Sequence, residues 1–332
     1  MPGTRSRLRR LARRGRDAAL GALAGAASHG LSSLPLGTRV ERFLLERTWN
    51  ARSAAMLDRY LVSGYQNPRV NLQSILLRHF LAERVVGPGF DDLQTGEIRL
   101  AVELNEALRL RAAELGVKMG SYLNASRQAA VLRVDEAIAD RERTFVDRWR
   151  SALAAHERGR PPLRVIELAC GSANDYRAFV ECGLAAHLDY RGLDLTAKNI
   201  ENARRRFPGV AFEVGDVRDV KHPDGACDYV IASDVFEHLS LEGMERALDE
   251  AIRLATRGLA LTFFNMSESA DHEDRPTKLY HWNRLSRPRI EARLRERFPS
   301  VRVVPISRWL REEHGYTRSH NRHAYSIFAE TP

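Results

Sequence analysis

From residue 163 onward, short runs rich in β-branched and aromatic residues alternate with amphipathic stretches of helical period. That alternation leaves the chain few solutions, because parallel neighbours need helical crossovers that cover the sheet on both faces. Strands are predicted at 163–169, 190–195, 210–215, 227–233, 258–264, 301–306 and 324–330, with helices near 174–182, 196–207, 241–255 and 285–298. No helix-length segment of clear period separates the last two strands, so they are expected to close the sheet as an antiparallel hairpin. The expected fold class is α/β: a seven-stranded, mostly parallel, doubly wound sheet with a C-terminal antiparallel hairpin, preceded by an α-helical region.

The first half carries helical stripes. Ala101, Leu104, Leu108, Ala112 and Leu115 recur at spacings of three and four, with Gly116 as the cap, and Val131, Val134, Ile138, Phe145 and Trp149 form a second stripe reaching toward the linker HERGRPP. Asn67 followed by Pro68 marks a favoured helix start. These stripes suit packing. The chain therefore divides into a flexible basic tail (1–30), a helical region that can serve as a lid (31–158) and the α/β domain (159–332).

Charge bears on the partner. The net charge is +9, but seven arginines against Asp17 place +6 of it in residues 1–17. The body is near neutral, so a basic groove for nucleic acid is not implied. The segment AALGALAGAAS that follows the arginines is mostly Ala and Gly, too weakly apolar for a secretory core or a membrane span. The tail is expected to make at most a weak electrostatic contact with anionic membrane. Cys170, Cys182 and Cys227 are odd in number and lack metal spacing, so a reduced, cytoplasmic setting with no bound metal is expected. The oligomeric state stays open.

In an open α/β sheet ligands bind beyond the C-terminal ends of the strands. Here those ends carry acids in series: Glu167 in the first strand, Asp194 ending the second, Asp216 after the third and Asp234 after the fourth. Taken singly, each also suits a turn or a helix N-cap. As a row they repel a pyrophosphate and suit a ligand with positive charge, hydroxyls and an amine. The turn ACGSAN also lacks the G-x-G-x-x-G of a dinucleotide loop.

ELACGSA, GLDLT, VGDVRD and CDYVIASDVFEHLS together resemble the motifs of class I S-adenosylmethionine-dependent methyltransferases, of the small-molecule type, over residues 163–265. The resemblance implies a Rossmann-like domain and S-adenosylmethionine as cofactor. It implies that Gly171 and its neighbours pass under the methionine part, that Asp194 meets the ribose hydroxyls and that Asp216 meets the adenine amine, with Val217 beside it. Glu167, Ala169, Leu195 and Ser233 complete the implied cofactor contacts. Ala169 and Ala173 depart from the family's glycines. Alanine costs little where φ is negative, so the loop's tolerance rests on its backbone angles.

The acceptor is less legible. His238, one step past the fourth strand, is a candidate base, though a loop-anchoring hydrogen bond is an equally available role; Asp234 is a second candidate. The segment 263–286 is longer than a strand-to-helix turn requires and carries His272, Tyr280, His281, Trp282 and Asn283. His281, Trp282 or Asn283 is expected to touch the acceptor; the alternative is that Trp282 packs and Asn283 caps. Tyr60 to Asn71 is a candidate second acceptor wall, or a capped helix start. The leading expectation is methyl transfer to an O or N atom of a small-molecule or glycan-like acceptor. A nucleic-acid methyltransferase is disfavoured because SDVF stands where an NPPY-type tetrapeptide would, and a non-catalytic cofactor-binding protein stays open.

Overall fold

The computed structural model describes residues 71–87, 91–114, 146–154, 161–278, 280–317 and 321–331. The expectations for the basic tail, for most of the second helical stripe and for Tyr60 to Val70 lie outside those residues.

Helices α1 (Leu72–Val86) and α2 (Asp91–Glu114) precede the sheet. Then follow β1 (Leu163–Leu168), α3 (Asn174–Cys182), β2 (Leu188–Asp194), α4 (Ala197–Arg206), β3 (Ala211–Val214), β4 (Cys227–Ser233) and α5 (Leu241–Leu254). The chain continues as β5 (Ala255–Phe263), the short pair β6 (Met266–Ser267) and β7 (Leu285–Ser286), α6 (Arg287–Arg295), β8 (Ser300–Pro305), α7 (Ile306–His314) and β9 (Tyr325–Glu330). The main sheet has the order β3-β2-β1-β4-β5-β9-β8. Strands β1 to β5 are mutually parallel, and β9 runs antiparallel to both β5 and β8. This is the expected α/β architecture with its antiparallel hairpin.

Strand composition explains the layering. Alternate residues face opposite sides of a pleated strand. Leu163 and Val165 of β1 join a core with α1, α3 and α4, while Ile166 and Leu168 join a second core with α5 and α6. The register then levels the strand ends: Leu168 pairs with both Leu193 and Ala232, and Ser233 pairs with Thr262. Because the order reverses between β1 and β4, the chain leaves these two strands toward opposite faces of the sheet, the point where ligands of open α/β sheets bind.

Three local expectations need correction. A helix, α7, does separate the last two strands; it buries only Ile306 and Leu310, too few for a legible period in nine residues. Helix α1 begins at Leu72 and is capped by Asn71, whose side chain accepts from Gln73 N and Ser74 N, so this helix starts later than expected; Asn67 itself lies outside the described residues. The long segment after β5 holds the two-residue strands β6 and β7, which pair in parallel.

Helix α1 is part of the body of the fold. Gln73 Nε2 donates to Phe263 O (3.0 Å) and Tyr325 O (2.9 Å), where β5 ends and β9 begins. Behind it, the buried Glu97 of α2 accepts from Arg78, from His79 Nε2 (2.7 Å) and from Trp149 Nε1 (3.0 Å). The Arg78 guanidinium and His79 outweigh the desolvation of Glu97 and hold its carboxyl down at about 2. One carboxylate thus ties α1, α2 and the helical residues 146–154 together.

Candidate active site

The loop after β1 is built on left-handed backbone. Ala169, Gly171 and Ala173 have φ of 57°, 55° and 63°. Glycine adopts such angles freely, whereas an L side chain there costs about 1–2 kcal/mol. The condition under which alanine would be harmless is therefore not met. The loop holds through one internal bond, Ala173 N to Cys170 O (2.9 Å), and through its neighbours: Cys170 N donates to Leu193 O (2.9 Å), and Arg206 reaches Ser172 O. A Cβ placed on Gly171 would meet no atom within 4 Å, so the space above this residue is open.

Asp194, the last residue of β2, faces that loop. Its Oδ2 accepts from Gly171 N (3.0 Å), and its Oδ1 accepts from Thr196 N (2.8 Å) and Asn199 Nδ2 (3.1 Å). A carboxylate has about four acceptor positions, so one on Oδ2 is left for a ligand. Leu195 beside it is 67% exposed, an apolar side chain standing free at the strand end.

A second cluster forms between β1, α3 and β4. Asp175, in the first turn of α3, accepts from Ser74 Oγ (2.5 Å) and from Ser233 Oγ (3.0 Å). Glu167 accepts from Tyr190 OH (2.5 Å) and is buried. Burial, with Asp175 adding repulsion, pushes the Glu167 carboxyl well above its usual range. Asp234 is raised to about 7 by the same two causes; its Oδ1 accepts from Thr262 Oγ1 (3.4 Å), and its φ is 53°. Fully buried Glu237 is raised to about 8 by burial and by Asp234, although its Oε1 accepts from Phe264 N (2.7 Å) and Asn265 N (3.1 Å). Its Oε2 has no partner. A cation arriving beside these carboxyls would favour their ionised forms.

Asp216 stands apart. Both of its oxygens hold the Arg218 guanidinium (2.6–3.1 Å), which keeps its carboxyl below the usual range. Val217 is buried in the core beside α5.

Beyond β4 the loop of His238 is stitched to the segment before β7. His281 N donates to His238 O (3.2 Å) and Asn283 N to Glu237 O (3.0 Å). His238 Nδ1 lies 3.2 Å from His281 O. A carbonyl can only accept, so Nδ1 carries the proton and Nε2 keeps its lone pair in the neutral ring. Burial lowers the His238 pKa, which maintains that neutral form at pH 7. Around the ring lie Phe264, Tyr280 and Trp282, with centroids at 5.1, 5.6 and 5.4 Å.

The remaining candidates separate by contact. His281 Nδ1 pairs with Asp274 Oδ1 (2.9 Å). Asn283 is fully buried, donating to Leu239 O (2.8 Å) and accepting from Arg275 N (2.8 Å). It is a structural tie, and the expected acceptor contact does not extend to it. His272 Nδ1 accepts from Ser286 N (2.9 Å). Ser74, Asp175, Arg218 and Glu237 escaped the sequence reading. Asp175 looked like an ordinary acid in the first turn of a helix, and the partner that marks it, Ser74, lies 101 residues away. Among the described residues no group of three or more His, Cys, Asp or Glu is arranged to hold a metal ion, and no helix is long and apolar enough to cross a membrane.

Comparison with known proteins agrees with this geometry. A family profile described as "Methyltransferase domain" matches residues 165–258, β1 to the middle of β5, and supports a methyltransferase domain there. Trans-aconitate 2-methyltransferase of Methylobacterium nodulans is 37% identical over 78 residues, which is 24% of this chain and 29% of that protein. The chain therefore spans less than a third of the length of the curated relative it matches. Among solved structures, an S-adenosylmethionine-dependent methyltransferase from Mesorhizobium loti aligns at 17% identity and a TM-score of 0.40, over 54% of this chain and 96% of that one. One from Methanosarcina mazei aligns at 13% and 0.39, again over 54% and 96%.

Proposed function

We propose that the protein transfers a methyl group from S-adenosylmethionine to an O or N atom of a small-molecule acceptor. The observation that carries this reading is the placement of Asp194. Its carboxylate is fixed by Gly171 N–H, keeps one acceptor position and borders open space above Gly171 and the exposed Leu195. The residues fit the cofactor: Asp194 for its ribose diol, Leu195 for the adenine face, and Asp175 and Asp234, with the buried Glu167 behind them, as carboxyls whose ionised forms an ammonium or sulfonium would favour. When bound, that group supplies an electrophilic methyl.

The chain's own part is positioning and proton handling. The loop from Ala169 to Ala173 and the end of β4 fix the two walls between which reacting atoms must meet, and holding them in near-attack geometry supplies much of such a reaction's acceleration. His238 Nε2 takes the acceptor's proton where the acceptor is a hydroxyl. Ser233 and Ser74 hold Asp175 in place and so keep the carboxylate cluster from spreading. Ala169 is a loop former rather than a binding side chain, and Asp216 reaches an adenine amine while it still holds Arg218. Residues 159–332 are proposed as the methyltransferase domain, with α1 built into its body and so outside any lid formed within 31–158, and the cytoplasm is proposed as the compartment.

The test is transfer of labelled methyl from S-adenosylmethionine to a pool of small metabolites. Label in the small-molecule fraction supports the reading. Label found only in nucleic acid, or none at all despite tight binding of S-adenosylhomocysteine, replaces it with one of the alternatives above.

A further inference from the structure

The rings about His238 form an open aromatic corner. Trp282 and Tyr280 are 45% and 46% exposed, and their planes meet at 66° with centroids 6.4 Å apart. Phe264 lies 4.7 Å from Trp282 and closes the base. Large aromatics are seldom left half in water without a partner, and two standing at an angle offer a stacking face and an edge to one flat guest.

The polar groups at this corner narrow the guest. Asn283 is spent on Leu239 O and Arg275 N, Asn265 Nδ2 on Asn283 O, Glu237 Oε1 on two backbone N–H groups, Thr277 on Tyr280 O and His281 Nδ1 on Asp274. A sugar ring would need several free donors and acceptors around its rim. Among the described residues His238 Nε2 is the free acceptor on the ring that Phe264, Tyr280 and Trp282 surround, and the Tyr280 hydroxyl and the Trp282 indole N–H make no protein hydrogen bond; Glu237 Oε2 is also without a partner but is fully buried. That inventory suits a flat, largely apolar molecule with one hydroxyl to be met by one base.

We propose that the acceptor is a planar aromatic compound bearing an ionisable hydroxyl, seated on Trp282 and Tyr280 with that hydroxyl at His238. The proposal rests on the methyl-transfer reading above. The hydroxyl oxygen forms a bond to the donor's methyl carbon as the carbon–sulfur bond breaks. The electron pair of that bond stays on sulfur, and the hydroxyl proton passes to His238 Nε2. A phenolic hydroxyl, far more acidic than an aliphatic one, gives its proton to an imidazole at much lower cost.

The experiment uses the full chain with S-adenosylhomocysteine present and two size-matched probes, 2-naphthol and decahydro-2-naphthol. Their binding is followed by calorimetry, and labelled donor then reports aryl ether formation. The expected result is that 2-naphthol binds at least ~10-fold tighter than its saturated analogue, that Trp282→Leu and Tyr280→Leu each remove most of that difference, and that His238→Gln slows ether formation by a larger factor than it weakens naphthol binding. Equal binding of the two probes, no binding of either, or affinity untouched in both leucine variants overturns the proposal. Loss of the methyl-transfer reading itself is separately visible, as a melting temperature that S-adenosylhomocysteine does not raise.

Discussion

Gly171 N–H donates to Asp194 Oδ2 at 3.0 Å, so the turn after the first strand and the end of the second are locked to one another. The bond matters because the turn places Ala169 and Ala173 on left-handed backbone, and its one internal bond, Ala173 N to Cys170 O, is supplemented by bonds to neighbours. The same carboxylate that offers a ligand an acceptor thus also maintains the wall of the site.

Strain at the two alanines separates by packing. Ala169 is partly exposed, and Ala169→Gly should stabilise the protein by about 0.5–1 kcal/mol, because relief of the left-handed penalty exceeds the added chain entropy. Ala173 is fully buried, and Ala173→Gly also removes a packed methyl worth about 0.8 kcal/mol, so its net effect should be near zero. Urea unfolding of both variants checks the contrast.

Glu97 should be among the costliest single residues in the described fold. Glu97→Gln removes the charge opposite buried Arg78 while keeping the volume, and a loss of about 3–5 kcal/mol is expected by chemical denaturation. Since Arg78 and His79 hold its pKa at about 2, below the ordinary 4.5, its contribution is present above pH 4.5 and disappears as pH falls through 2.

Glu237 acts with the opposite sign. Its carboxyl is raised to about 8 by burial and Asp234, so its contribution is fully present below pH 4.5 and is lost as pH rises through 8. Glu237→Gln keeps an acceptor for Phe264 N and Asn265 N but cannot ionise. Wild type should therefore lose stability relative to the variant between pH 5 and 8.5; parallel pH profiles in urea would contradict this.

His238 predicts a rate profile. With its pKa held below 6.5 by burial, kcat/KM should be level near pH 7 to 8 and fall at lower pH as the ring protonates. His238→Gln should lower kcat/KM about 100-fold and remove the acid limb that belongs to the ring. A variant retaining the same limb and rate would assign the proton to another group.

Most of the sheet was legible because its signals are local. β4 begins and ends at the predicted Cys227 and Ser233, and α3 runs from Asn174 to Cys182 as its period required, closed by Gly183. The acids at the strand ends were visible for the same reason, since a strand followed by an acidic turn is written in consecutive residues. What stayed hidden depends on distance or on backbone angle. Ser74 meets Asp175 across 101 residues, and nothing in the letters of either marks the pair. Alanine has no preference for φ near +60°, so the strain at 169 and 173 appears only in coordinates. Arg218 could have been noticed two residues from Asp216, yet an exposed arginine after an acid is an ordinary surface pattern.

Calorimetric titration of S-adenosylhomocysteine into wild type and Asp194→Asn tests the role of the Asp194 carboxylate as a ligand acceptor. Wild type should show a single site, and affinity should be weakened at least ~10-fold in the variant, since a charge-assisted acceptor is replaced by a neutral one. Absence of binding to wild type at millimolar ligand, or equal affinity in the two proteins, would contradict that role.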